Sequence, residues 1–92
     1  MTKAVKLRIE GRVQGVGYRM WLSREAQRHG LAGWVRNRRD GSVEALLKGD
    51  DESLEEVVEL CRNGPRMARI ERIERSDAED DGSFGFEELP TV

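Results

Sequence analysis

The order of hydrophobic patterns along the chain predicts an α+β fold, a ferredoxin-like two-layer sandwich built as β-α-β-β-α-β plus a short C-terminal strand, with a mostly antiparallel sheet and two helices on one face. Three observations carry this prediction. Apolar residues recur with period two and then with period 3.6, in that order and twice over, within 92 residues. Glycine-rich turns separate the runs, at Gly11 to Gly17, His29-Gly30 and Asn63-Gly64-Pro65. The middle pair of strand-like runs is joined by Arg39-Asp40-Gly41-Ser42, which has the chemistry of a hairpin turn. No linker or low-complexity stretch interrupts the pattern, so residues 1–92 are expected to form a single domain around one core.

Each element has its own justification. Val5, Leu7 and Ile9 alternate with Lys6, Arg8 and Glu10, as in a strand with one buried face. Tyr18, Leu22 and Ala26 follow at helical spacing with Trp21 beside them, while Ser23, Arg24, Gln27 and Arg28 take the outer face. His29-Gly30 suits a left-handed C-terminal cap. Leu31 to Val35 reads as the second strand, and Val43, Ala45 and Leu47 alternate in the third. Asp50, Asp51, Glu52 and Ser53 open a second helix, with Asp50 or Ser53 able to cap it and Leu54, Val57, Val58 and Cys61 as its buried stripe. Met67 to Arg75 forms the fourth strand, and the phase slip between Ala68, Ile70 and Ile73 predicts a bulge or twist. Phe84 and Phe86 alternate in a short last strand at an edge, and Pro90 to Val92 are expected to fray.

Bulk properties exclude several function classes. A net charge of -2 and 5% aromatic residues argue against a nucleic-acid binder, including the RNA-binding domains that share this strand order and stack bases on sheet aromatics. No apolar run reaches the length of a membrane span, and the first residues lack the apolar centre of a signal peptide, so no membrane partner and a cytoplasmic location are expected. The single cysteine, Cys61, rules out an internal disulfide and fits core packing better than nucleophilic chemistry. His29 stands alone, without partners for a metal or for base catalysis. Trp21 and Trp34 read as core or rim apolar mass, and Glu79, Asp80 and Asp81 as a solvated turn. A dinucleotide or nucleotide loop would need a further glycine or a Gly-Lys-Ser/Thr sequence after Gly15-Val16-Gly17-Tyr18-Arg19, and neither is there, so no cofactor is expected.

The chemistry concentrates in Gly11 to Arg19, which reads Gly-Arg-Val-Gln-Gly-Val-Gly-Tyr-Arg between the first strand and the first helix. A glycine turn that opens a helix and ends on arginine offers an anion backbone N–H groups, a helix N-terminus and a guanidinium. In the predicted topology the first and second strands are parallel with the third between them, and the right-handed crossover brings both of their C-terminal ends to one rim. Arg19 and Asn37 therefore fall on the same rim. A cationic fork beside a neutral amide, above a ring of backbone N–H groups, can hold a phosphate and orient a water against it. Taken singly, Arg19 also reads as a surface arginine, Asn37 as a turn residue, and Gly15 and Gly17 as mere permission for the turn.

The motif from Gly11 to Arg19, together with Gly-Trp-Val-Arg-Asn from Gly33 to Asn37 and Asp-Gly-Ser-Val-Glu from Asp40 to Glu44, resembles the acylphosphatase family over nearly the whole chain. Tyr18 stands where phenylalanine is frequent, and Arg66 follows Pro65 where a second proline is common. The resemblance implies metal-independent hydrolysis of a carboxyl phosphate to carboxylate and inorganic phosphate by direct attack of water. It implies that Arg19 and the backbone N–H groups of Gly15, Val16, Gly17, Tyr18 and Arg19 bind the phosphoryl oxygens while Asn37 holds the water. The implied partner is a small-molecule acyl phosphate, with inorganic phosphate as product and weak inhibitor, acting on a monomer. A regulatory role, or acyl-phosphate handling as a domain inside a larger protein, is the rival within the same family.

Overall fold

The computed structural model describes residues 2–92, so the first residue of the expected 1–92 domain lies outside it. Strand β1 (Thr2–Arg12) lies in the sheet with Val5, Leu7 and Ile9 buried on one side. Helix α1 (Tyr18–Arg28) crosses back over that side, and β2 (Ala32–Asn37), β3 (Val43–Asp50), α2 (Asp51–Cys61), β4 (Arg69–Asp77) and β5 (Phe86–Glu88) complete the chain. The sheet order is β4-β1-β3-β2-β5, with β3 antiparallel between β1 and β2 and with β5 parallel to β2 at the edge. This is the predicted two-layer sandwich. Its core is the inner face of β1 and β3 packed against Tyr18, Leu22 and Ala26 of α1 and Leu54, Val57, Val58 and Cys61 of α2.

The ends of the helices follow their residues. Asp50 caps α2, its side chain accepting from the Ser53 N–H at 3.1 Å. The first helix stops at His29, whose N–H donates to Glu25 O, and the chain turns at Gly30 with φ 70°.

Several expectations require correction. β2 begins at Ala32 and runs on to Asn37, and β4 lies two residues later than Met67 to Arg75. The phase slip in β4, by contrast, is the expected bulge: Glu10 pairs with Arg72 and the adjacent Gly11 with Ile70, leaving Glu71 as the extra residue. Ser23 is buried rather than outer-facing, its hydroxyl accepting from Gln27 Nε2 at 3.0 Å. In β3 the outward Glu44 and Leu46 are buried as well as the inward residues, because β3 is central and both are covered by cross-strand neighbours. Lys6 and Trp34 flank Leu46, and Arg8 and Arg36 flank Glu44. Phe84 lies outside β5 and is 94% exposed, whereas Phe86 packs on the core. Residues 89–92 do not fray: the Leu89 N–H donates to Val35 O, the Val92 N–H to Asn37 O, and Arg39 N–H to Val92 O at 2.7 Å. Among the described residues no helix is long and apolar enough to cross a membrane.

Candidate active site

A cavity of about 280 Å³ opens at the C-terminal ends of β1 and β2, bordered by Gly15, Gly17, Arg19 and Met20 on one side and by Asn37 and Glu88 on the other. The crossover predicted from strand order is therefore realised, and Arg19 and Asn37 share one cleft. The loop that carries the first side is fastened at both ends by burial. Val13 is in the core before it, and Tyr18 is buried after it with its hydroxyl donating to Cys61 O at 2.9 Å. Burial drives the Tyr18 phenol pKa far up, and the neighbouring Cys61 adds to the effect, so its proton stays in that bond.

Between those anchors Gly15 and Gly17 have φ of 72° and 80°, the left-handed region that favours glycine, and open space surrounds the place where a Cβ would stand. Gly17 is also the N-cap of α1, and it supplies no side-chain cap bond. The first helical hydrogen bond runs from Trp21 N–H to Gly17 O, so the N–H groups of Tyr18, Arg19 and Met20 are left without intrahelical acceptors. Unspent donors at a helix start, joined to the helix dipole, attract an anion. Val16, like Tyr18, turns its side chain inward against the core, and it does not border the cleft.

The Arg19 guanidinium is held across the cleft by Leu89 O, 3.4 Å from Nη1. Asn37 ends β2, and its Oδ1 is buried without a hydrogen-bond partner. A buried amide oxygen left unpaired is rare, and it marks this side chain as one not serving a local turn. Two residues of the site carried no sequence signal. Gln14 donates from Nε2 to Arg38 O at 2.6 Å and to Ser42 O at 2.8 Å, joining the loop to the β2–β3 hairpin. Glu88 reaches the rim because it shares the helix-facing side of β5 with Phe86.

The other candidates stay apart from this cleft. Cys61 is buried in the core and burial pushes its thiol up to about 12, which leaves no thiolate for attack. His29 pairs with Glu56 at 3.3 Å on the helix layer. A larger cavity of about 710 Å³ lies at the opposite end of the sheet between Lys3, Lys48, Asp51 and Asp80, but its lysines already pair with those carboxylates at 2.9 and 2.7 Å.

A ferredoxin-like domain with a glycine loop, a helix N-terminus, an arginine and an amide around one small cleft defines a phosphoryl-binding hydrolytic class, in which charge stabilisation and water placement do the chemistry. Comparison with known proteins narrows it. The acylphosphatase family profile matches residues 5–88. An acylphosphatase of Nitrobacter winogradskyi is 50% identical over 90 residues, covering 91% of each chain. The crystal structure of acylphosphatase from Bacillus subtilis superposes with a TM-score of 0.91 at 36% identity, over 97% of this chain and 99% of that one. Full-length HypF, in a phosphate- and nucleotide-bound form, contains the same fold with a TM-score of 0.92 at 25% identity, this chain covering 12% of it. The chain belongs to the acylphosphatase family.

Proposed function

We propose that the chain hydrolyses small acyl phosphates in the cytoplasm as a single-domain monomer, with Arg19 and the loop binding the phosphoryl group and Asn37 holding the attacking water. The observation that carries this reading is the shared cleft: Arg19 and Asn37, distant in sequence, border one cavity with Gly15 and Gly17 of the loop. Arg19 and the N–H groups of residues 15–19 take the phosphoryl oxygens, where negative charge gathers during transfer. The Asn37 amide orients the water, whose oxygen attacks phosphorus as the bond from phosphorus to the carboxyl oxygen breaks. The carboxylate leaves with that electron pair. The water's proton passes to a phosphoryl oxygen, since the cleft's one carboxylate, Glu88, lies at the exposed rim. A carboxylate is a good leaving group, so the protein's work is placement and charge stabilisation. Inorganic phosphate, which fits the same cradle, is a weak product inhibitor.

The test is Arg19→Ala assayed on benzoyl phosphate with chelator present. Expected is loss of turnover by at least about 100-fold with weaker inhibition by inorganic phosphate and an unchanged circular dichroism spectrum. Unaltered benzoyl phosphate hydrolysis in that variant would remove Arg19 from the mechanism.

A further inference from the structure

The two halves of the cleft sit on segments that are separate in sequence, and Gln14 joins them. Both hydrogens of its side-chain amide are used, one on Arg38 O at 2.6 Å and one on Ser42 O at 2.8 Å. Those carbonyls are the ones that close the β2–β3 hairpin. Arg38 N–H donates to Ser42 O at 2.8 Å, and Gly41 N–H to Arg38 O at 3.1 Å. Gln14 thus grips the hairpin at the residue next to Asn37. The loop does not need Gln14 for its own shape, because buried Val13 and buried Tyr18 already pin its two ends. What Gln14 sets is the distance and angle from the cradle to Asn37.

We propose that Gln14 is a positioning residue for hydrolysis: its two hydrogen bonds hold the Asn37 amide, and the water on it, in line with the phosphoryl group in the loop. The inference rests on the roles assigned above to Arg19 and Asn37. The chemistry of the contact is selective. One nitrogen must offer two hydrogens to two carbonyl oxygens without charge. Leucine fills similar space with no donor, and a glutamate carboxylate would set negative oxygen against both carbonyls.

The experiment compares wild type with Gln14→Leu, Gln14→Glu, Asn37→Ala and the two double variants that join each Gln14 change to Asn37→Ala, using benzoyl phosphate as substrate and inorganic phosphate as inhibitor. Expected for Gln14→Leu is a fall in kcat of roughly 10- to 100-fold, the scale of a small misplacement of reacting groups. The phosphate inhibition constant should stay within about twofold, because the cradle is intact. Gln14→Glu should be as defective at neutral pH and recover in part relative to wild type as pH is lowered and the carboxyl gains one proton to donate. On the Asn37→Ala background either Gln14 change should lower kcat little further, since no amide remains to be positioned. Failure of wild type to hydrolyse benzoyl phosphate would bring down the proposed function itself. With wild type active, the inference is overturned by unchanged kcat in Gln14→Leu, by kcat and phosphate binding falling together, or by full additivity with Asn37→Ala. Should Gln14→Leu not fold, the pH profile of Gln14→Glu and its double variant decide the matter alone.

Discussion

Asn37 keeps its side chain at the cleft with its Oδ1 buried and unpaired, an arrangement that forgoes roughly 1–3 kcal/mol of stability. Alanine in its place removes the group proposed to hold the water together with the orphaned acceptor, so rate and stability should move in different directions. Expected for Asn37→Ala is a drop in kcat of about 100- to 1000-fold, the effect of losing one preorganised group, with Tm unchanged or raised. Steady-state kinetics beside calorimetry checks the pair of outcomes, and a large fall in Tm would assign Asn37 to the fold. That Arg19 and Asn37 share one cleft was legible in the sequence because charge and amide chemistry stood at the two ends that strand order brings together. Gln14 was not legible. An uncharged glutamine inside a glycine loop has no distinctive chemistry until the hairpin carbonyls of Arg38 and Ser42 lie within 3 Å of it.

At the level of elements, β3 shows what local pattern can and cannot say. Val43, Ala45 and Leu47 announced the inward face by alternation, but burial of Glu44 depends on side chains from other strands. Lys6 of β1 and Arg36 and Arg38 from β2 and its hairpin reach its carboxylate at 3.2, 2.7 and 3.2 Å. Burial pushes the Glu44 carboxyl up, and the bonds from Arg36 and Lys6 outweigh that and hold it below the ordinary range. Glu44→Gln leaves three cations around a neutral group, and a loss of about 1–3 kcal/mol, seen as a Tm lower by roughly 5–20 °C, is expected in thermal melts. A Tm within a degree of wild type would show that the cluster is only a solvated surface. The terminal segment was misread for a related reason. Leu89 and Val92 are held through backbone groups of Val35, Asn37 and Arg39, and backbone bonds leave no residue-type signature, while Pro90 signals a break. The bulge at Glu71, by contrast, was visible because it displaces the apolar phase of β4.

Across the whole molecule the two layers are tied at the sheet's far edge by Glu55 of α2, which accepts from Arg75 of β4 at 2.7 Å and from Lys3 of β1 at 2.9 Å. The Arg75 bonds first, and the Lys3 bond next, lower the Glu55 carboxyl to about 2. A carboxyl held lower in the folded than in the unfolded chain stabilises fully above its ordinary value of 4.5, and that stabilisation is lost as pH falls toward about 2. The pair is solvent-exposed and screened, so its contribution is about 1 kcal/mol or less. Differential scanning calorimetry from pH 6 down to pH 2 should show Tm falling through that window, with the slope reduced in Glu55→Gln. An identical slope in the variant would mean that other carboxylates carry the acid sensitivity.

The cradle loop carries a consequence that concerns mirror symmetry. At Gly15 and Gly17 nothing crowds the position of a Cβ, and only the sign of φ excludes ordinary residues. What the loop requires there is handedness rather than smallness. A D-alanine, for which these torsions are the relaxed ones, matches the handedness at both positions, and by narrowing the freedom of the unfolded chain it would favour the folded cradle over what glycine allows.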